Sequence, residues 1–126
     1  MYKLKIITEF DAAHQLRGYK GKCENIHGHN WKVEVEVIAE NLNEIGIAID
    51  FKELKGVTEE VISRLDHSFI NQIPPFTEIN PSSENIARWI YMSLKDKLNT
   101  LPVKLYSVTV WESDHASATY IECNFK

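Results

Sequence analysis

The stretch that organises this chain is residues 23–30, which read Cys23-Glu24-Asn25-Ile26-His27-Gly28-His29-Asn30. In an extended backbone successive side chains alternate between two faces, so His27 and His29 point the same way. Both imidazoles can then reach one metal ion, and Gly28 leaves room for the ion and for close approach of the backbone. Imidazole nitrogens suit zinc, and a thiolate suits it too. The stretch therefore predicts either a zinc site or a surface turn with two solvated histidines.

The residues around this stretch favour the metal site. Residues 31–38 alternate apolar and polar in the register of His27 and His29, which predicts a strand with the histidine pair on its apolar face. Residues 2–10 alternate as well, and the parity of their apolar face carries forward to His14. A lone histidine there is more often a core residue bonded to a carbonyl. Together the three imidazoles form the ligand set of an open zinc site.

Two helices are predicted in the middle of the chain. Asp50 is a suitable helix cap, and apolar residues follow it at helical spacing to about residues 66–67. Residues 68–81 hold three prolines and predict a loop. Ser82 or Ser83 then caps the second helix.

Two further strands are predicted near the end of the chain, over residues 105–112 and 119–125, with a turn at residues 113–117. Ile121 and Cys123 lie in the apolar register of the last strand, which predicts that Cys123 is a small core residue. The order is then β-β-α-α-β-β. It predicts a single α+β domain over residues 1–126, with an antiparallel sheet and two helices on one face.

The composition argues against several classes of protein. The 126 residues are 44% hydrophobic and 25% charged, and the net charge of -4 disfavours direct binding to nucleic acid. No run reaches the ~20 apolar residues of a membrane span, so no membrane partner is expected. Two cysteines do not make a disulfide framework, and no leader pattern is seen. A cytoplasmic location is the expectation.

Cys23 decides what kind of zinc site this is. As a fourth ligand it would make the site structural, because structural zinc is usually held by four protein groups. Off the metal it would be a free thiol beside a cation, which favours the thiolate form. Such a thiolate can remove a proton from an acidified C–H bond. The spacing alone leaves both alternatives open.

Other polar residues are weaker candidates. Asp66 and His67 could form an acid/base pair, although on the residues alone a polar helix end is favoured. Glu112 shares the parity of the apolar residues before it, so its carboxylate could hold a ligand with N–H donors, or it could be an ordinary edge residue. The basic stretch 17–22 is a solvated loop or a phosphate contact. His115 is interpreted as a solvated turn residue.

Several of these motifs together resemble a known family. They are residues 10–14 (Phe-Asp-Ala-Ala-His), 23–30, 50–51 (Asp-Phe), 65–67 (Leu-Asp-His), 81–87 (Pro-Ser-Ser-Glu-Asn-Ile-Ala) and 111–112 (Trp-Glu). In this order the chain resembles the 6-pyruvoyl-tetrahydropterin synthase and 6-carboxy-tetrahydropterin synthase family over essentially its full length. The resemblance implies the tunnelling fold, in which subunits pool their strands into a barrel as a homo-oligomer, a trimer or hexamer, with active sites between subunits.

The resemblance also implies roles for individual residues. His14, His27 and His29 would bind Zn²⁺, and Cys23 would be the catalytic base. Asp66 and His67 would be a second proton-handling pair, reaching Cys23 from a neighbouring subunit. Glu112 would bind the ring N–H and amino group of a pterin. The substrate would be 7,8-dihydroneopterin triphosphate.

The spacing within the motif bears on the branch of the family. Three residues separate Cys23 from His27, which resembles the carboxy-forming enzymes of queuosine biosynthesis. Such an enzyme would release acetaldehyde and triphosphate and form 6-carboxy-5,6,7,8-tetrahydropterin. The alternatives are a pyruvoyl-forming synthase, which only eliminates triphosphate, and a non-catalytic module that binds zinc and a pterin. Related folate-bypass enzymes carry Glu in place of the cysteine; here Cys23 is present, although Glu24 follows it.

Overall fold

The computed structural model describes residues 1–18 and 24–122, which form a five-stranded sheet with two helices on one face. The strands are β1 (Tyr2–His14), β2 (His27–Ala39), β3 (Ser68–Phe69), β4 (Lys104–Ser113) and β5 (Ala116–Tyr120), and the helices are α1 (Phe51–Ile62) and α2 (Ser83–Leu98). The sheet order is β3-β1-β2-β4-β5. The α+β class is confirmed, and all strand pairs are antiparallel except the short parallel pair between β1 and β3.

The long β1–β2 pair carries the core. Its inward residues alternate with exposed ones along β1, as the sequence pattern predicts. Phe10 lies opposite Trp31 in the register, and their rings stack with centroids 5.8 Å apart. Both side chains are almost fully buried. The β1 strand runs four residues further than predicted, so that His14 is its last residue.

Both helices begin where predicted. The Asp50 carboxylate accepts a hydrogen bond from the N–H of Lys52, and the Ser82 hydroxyl accepts one from the N–H of Asn85. Helix α2 buries Ile86, Ile90, Leu94 and Leu98 against the sheet. Helix α1 ends at Ile62, earlier than predicted, because the chain leaves the helix in turns that return it to the edge of β1.

The two connections near the sheet edges differ from the prediction. The predicted loop 68–81 contains β3 and a short 3₁₀ helix at Ile70–Gln72. The β4–β5 turn is tighter than predicted, since Ser113 already pairs with Ala116, and β5 therefore ends at Tyr120. Ile121 is 44% exposed, so its predicted place in an apolar register is wrong. Cys123 lies outside the described residues. Within residues 1–18 and 24–122, neither helix is long and apolar enough to cross a membrane.

The α2 stripe gives a direct test of the core. Leu94 is fully buried, whereas Met92 on the same helix is 39% exposed. We expect Leu94→Ala to lower the free energy of unfolding by about 2–5 kcal/mol, because it removes apolar contacts and leaves a cavity. Met92→Ala should change it by less than about 0.5 kcal/mol. Urea denaturation followed by circular dichroism measures both, and equal effects would show that α2 does not pack as described.

Candidate metal centre

Three imidazoles meet where β1 ends and β2 begins. The register places His14 opposite His27, and Ala12 opposite His29, so the three rings share the buried face at one end of the sheet. The Nε2 atoms of His14 and His27 are 3.0 Å apart. The His27 and His29 ring centroids are 4.7 Å apart, and those of His14 and His29 are 5.3 Å apart. The structure therefore brings the predicted trio together.

Glu112, near the end of β4, completes this cluster. Its Oε1 lies 3.1 Å from Nε2 of His29 and 4.0 Å from Nε2 of His14 and of His27. Its Oε2 accepts a hydrogen bond from the Ser83 hydroxyl at the start of α2, at 3.3 Å. One atom from each of the four residues lies within 4.8 Å of the others. The inward orientation predicted for this carboxylate is thus what the structure shows.

Trp31 forms the floor of the site. Its ring meets the rings of His14 and His29 edge to face, with centroids 4.8 and 5.3 Å apart. Its indole N–H donates to the carbonyl of Ala12. Beneath it lies the apolar core. On the opposite side the side chains of His27 and Glu112 are each 36% exposed. Among the described residues the site is therefore closed below and exposed above, which suits an exchangeable ligand.

In His14 and His27 the Nε2 atom faces the cluster and the Nδ1 atom faces away from it. The hydrogen bonds of Nδ1 indicate what Nε2 can bind. His14 Nδ1 lies 2.7 Å from the Pro81 carbonyl, and His27 Nδ1 lies 2.8 Å from the Asn25 carbonyl. A carbonyl can only accept, so each Nδ1 carries the proton and each Nε2 of a neutral ring presents a lone pair. Two lone pairs that face one another at 3.0 Å repel unless a cation lies between them. The donor set therefore fits a metal ion.

The surroundings of His29 also fit a metal ligand. Its Nε2 is buried and lies at ion-pair distance from Glu112, yet within the described residues it has no partner in hydrogen-bond geometry. Burial lowers the pKa of His29, the Glu112 carboxylate opposes that shift, and the two neighbouring imidazoles add to it. A neutral imidazole with an unused buried nitrogen is what a metal ligand requires.

Gly28 does not have the role predicted from the sequence, which was to leave room for the ion. In an extended strand, however, its side-chain position points to the face opposite that of His27 and His29. A Cβ atom there would meet only the Ala12 carbonyl oxygen, at an ordinary contact distance of 3.9 Å. The glycine is therefore not what makes space for a metal.

Glu24 is a neighbour that sequence reasoning did not assign to the site. Its Oε1 lies 3.8 Å from Nε2 of His27, and the same atom accepts a hydrogen bond from the N–H of Leu16. Its side chain is 27% exposed. A second carboxylate therefore stands beside the imidazole cluster, immediately after Cys23 in the chain.

Asp66 and His67 lie elsewhere in the chain. The Asp66 carboxylate accepts from the N–H of Asp11 and lies 3.0 Å from Nδ1 of His67. The backbone N–H of Asp11 lowers the pKa of Asp66 most, and His67 lowers it further. With Asp11 these residues form a second polar group, on the β1 edge and apart from the imidazoles. Asp11 points away from the buried face that holds His14, so the two groups are separate within this chain.

The remaining predicted residues fall into two sets. Cys23 lies outside the described residues, as do Lys20 and Lys22 of the basic stretch. Arg17 is described, and its guanidinium donates to three backbone carbonyls of the α1–α2 connection. Those bonds give Arg17 a structural role, and the phosphate contact considered for the basic stretch stays a prediction. His115 is exposed in the β4–β5 turn, outside the cluster.

The family model described as 6-pyruvoyl tetrahydropterin synthase matches residues 3–123. The chain belongs to this family. The resemblance drawn from the motifs is thereby confirmed, and with it the expectation of an enzyme of the tetrahydropterin synthase type. The chain is 32% identical to a Haemophilus influenzae protein named 6-carboxy-5,6,7,8-tetrahydropterin synthase, over 97% of this chain and all of that protein.

Two further similarities extend the comparison. A Pyrococcus furiosus protein named dihydroneopterin monophosphate aldolase is 37% identical, over 89% of this chain and 92% of its own length. The solved structure of Caenorhabditis elegans 6-pyruvoyl tetrahydropterin synthase is similar with a TM-score of 0.82 at 27% identity, and the similarity covers 96% of this chain and 95% of that one. The fold of the family is therefore confirmed, while the relatives carry more than one activity name.

Zinc binding tests the cluster directly. We expect the protein to bind one zinc ion, and we expect His27→Ala to weaken binding by more than about 100-fold, because losing even an outer partner of a ligand costs about 10–100-fold. Competition with a chromogenic chelator measures the affinity.

Two variants serve as controls for this experiment. His115→Ala removes an imidazole outside the cluster, so its affinity should stay within about twofold of the original. Glu112→Gln should retain zinc if this carboxylate serves the substrate. Loss of zinc in that variant would instead make Glu112 the fourth ligand. Normal zinc affinity in His27→Ala would contradict the cluster as a metal site.

Proposed function

We propose that this chain is a zinc-dependent lyase that converts 7,8-dihydroneopterin triphosphate and one water molecule to 6-carboxy-5,6,7,8-tetrahydropterin, acetaldehyde and triphosphate. The observation that carries the proposal is the set of three imidazoles whose inner nitrogens converge, two of them with Nδ1 held by backbone carbonyls. The name of the Haemophilus influenzae relative supports the carboxy-forming reaction. A role in queuosine biosynthesis is part of the same proposal and rests on the resemblance of the Cys23–His27 spacing to the enzymes of that pathway.

The residues of the chain then divide the work. Zinc, when bound by His14, His27 and His29, supplies a Lewis acid for the oxygens of the pterin side chain. Cys23 removes the proton from carbon, a task for which a thiolate beside a cation is suited. Glu112 accepts hydrogen bonds from the pterin ring and so fixes its orientation, since its carboxylate faces the open side of the cluster.

Asp66 and His67 complete the site from a neighbouring subunit in this proposal. Their place on the β1 edge, away from the buried face, requires a second chain if they are to act on the same substrate. Within the described residues, no strand pairs with β1 on that side before Ala12, and β5 is the last strand at the other edge of the sheet. Open edges of this kind invite strand pairing between copies, which supports a homo-oligomer.

A second candidate function is cleavage of dihydroneopterin monophosphate by a retro-aldol reaction. The Pyrococcus furiosus relative, which is named for that activity, favours it. So does Glu24, whose carboxylate lies 3.8 Å from His27 Nε2 and could take a hydroxyl proton. Cleavage of the side chain next to its first carbon would give a hydroxymethyl pterin and a two-carbon aldehyde phosphate.

Product analysis tests the proposal and separates it from its alternatives. We expect the zinc-loaded protein to release acetaldehyde and triphosphate from the triphosphate substrate. Triphosphate without acetaldehyde would indicate the pyruvoyl-forming synthase. Cleavage of the monophosphate alone would indicate the aldolase. Tight pterin binding without any product would indicate a binding module.

The role of Cys23 is tested with Cys23→Ala in the same assay. We expect kcat to fall by about 10²–10⁴-fold, because a positioned base contributes that much, while the zinc content remains at one ion per chain. Cys123→Ala provides the control for the loss of a thiol and should keep its activity. Loss of zinc from Cys23→Ala would make the sulfur a ligand and would contradict its role as the base.

The shared site is tested by mixing inactive variants. Cys23→Ala and His67→Ala subunits are unfolded, combined in equal amounts and refolded together. If each site takes Cys23 from one chain and His67 from another, about one quarter of the sites in a random mixture are intact. We therefore expect about one quarter of the original turnover. Mixtures that stay as inactive as the separate variants would show that both residues act within one chain.

A further inference from the structure

Residues 15–17 continue β1 beyond its last regular strand residue. The β1–β3 ladder covers only Ala12 and Ala13, and no strand of the described chain pairs with the segment that follows. Even so, the backbone of this segment is fully engaged on both sides. The chain then turns away at Gly18, whose φ of 72° lies in the left-handed region that glycine adopts readily.

Two asparagine side chains replace the missing strand on one side. The Asn71 amide accepts from the N–H of Gln15 at 2.9 Å and donates to its carbonyl at 2.8 Å. The Asn80 amide does the same for Arg17, accepting at 2.8 Å and donating at 2.9 Å. A primary amide offers a C=O and an N–H as a peptide group does. Each asparagine therefore serves as one rung of a β-ladder.

Glu24 engages the other side of the same segment. Its N–H donates to the carbonyl of Leu16 at 3.1 Å, and its carboxylate accepts from the N–H of Leu16 at 3.2 Å. The Gln15 side chain also donates to the Glu24 carbonyl. Backbone groups of alternate residues in an extended chain point to opposite sides. The segment is thus held like a central strand, with the asparagines on one side and Glu24 on the other.

The supporting connection also reaches the imidazole cluster. Asn80 is followed by Pro81, whose carbonyl holds His14 Nδ1. Arg17 donates from its guanidinium to the carbonyls of Asn71 and Phe76 in the same connection. One stretch of chain between α1 and α2 therefore fixes both a proposed zinc ligand and the backbone segment 15–17, to which Glu24 bonds.

We propose that Asn71 and Asn80 are positioning residues, which extend the edge of β1 with side-chain amides and thereby hold Glu24, the residue that follows Cys23 in the sequence, in its place beside the imidazoles. Glu24 is the next residue after Cys23 in the sequence, so the bonds between Leu16 and Glu24 fix the residue through which the thiol-bearing Cys23 is joined to the clamped segment. The inference rests on the proposed function, because only a thiol that acts as a base needs a fixed position over the substrate.

The test compares Asn80→Asp and Asn80→Ala with the control Asn43→Asp in zinc-loaded, full-length protein. Asn80→Asp keeps the shape and the bond accepted from the Arg17 N–H, but a carboxylate cannot donate to the Arg17 carbonyl. Asn43 makes a comparable contact elsewhere, since its side chain accepts from the N–H groups two and four residues further on. It lies beyond the end of β2 that is opposite His27.

The measurements separate positioning from simple loss of structure. We expect Asn80→Asp to lower kcat at least about tenfold with KM within about twofold, since a shift of about 1 Å in a catalytic group can cost still more. Asn80→Ala should lower kcat further. The absorption spectrum of the cobalt-substituted protein, which reports on the imidazole ligands, should not change in either variant. Asn43→Asp should match the original protein in both measurements.

Each contrary outcome has a definite meaning. An unchanged kcat in both Asn80 variants would overturn the proposal. A changed cobalt spectrum would overturn it too, because the amide would then support the metal site and not the thiol. If the original protein turns over neither pterin substrate, the rate of Cys23 alkylation by iodoacetamide, followed by peptide mass spectrometry, replaces kcat. A change of about threefold or more in the alkylation rate of Asn80→Asp then supports the positioning role of Asn80, and no change overturns that role. The alkylation rate does not depend on turnover, so it tests the positioning role even if the lyase proposal fails.

Discussion

The register of the β1–β2 pair is the constraint on which the site depends. Because His14 lies opposite His27, three imidazoles from two strands share one face. The same alternation that buries Phe10 and Trp31 turns the imidazoles inward. A slip of one residue would send every side chain of a strand to the other face, and the apolar core forbids it. The energy of the core therefore holds the histidines together, and the site needs little stabilisation of its own.

That arrangement carries a cost in the absence of a cation. Lone pairs on neighbouring Nε2 atoms face one another, and a buried nitrogen of His29 has no hydrogen-bond partner among the described residues. Groups left in such a state destabilise a fold unless something binds them. A bound cation would relieve both, and the strands that carry the cluster are stabilised by the packing of α2 and by the aromatic pair beneath. The protein thus combines a rigid core with a set of nitrogen donors suited to a cation.

Period-2 alternation was sufficient to predict from the sequence that His14, His27 and His29 share a face, because a strand encodes the direction of its side chains locally. The helix caps at Asp50 and Ser82 were predictable for the same reason, since a cap acts within three residues. The bond between His14 and the carbonyl of Pro81 was not predictable in this way. Neither were the amides of Asn71 and Asn80, which bond to backbone 56 and 63 residues away.

All of these unpredicted contacts come from the connection between α1 and α2. A loop path depends on packing between distant elements, and the Asn-Pro pair at residues 80–81 signals a turn without naming what the turn will touch. The separation of Asp66 from the imidazoles could not be read from the sequence either, because adjacency along the chain says nothing about opposite faces of a sheet. The family resemblance anticipated it only as a relation between subunits.

The carbonyls that hold the imidazoles have a consequence for how this protein can change over evolution. Many metal sites orient their histidines with a carboxylate side chain, which a single codon change can remove. Here the partners of His14 and His27 belong to the main chain at Pro81 and Asn25, and every amino acid supplies that same oxygen. Point mutation cannot delete such a partner; only a displaced loop can. Insertions and deletions between α1 and α2 are therefore the genetic events that can remove the partner of His14 while leaving every histidine in place.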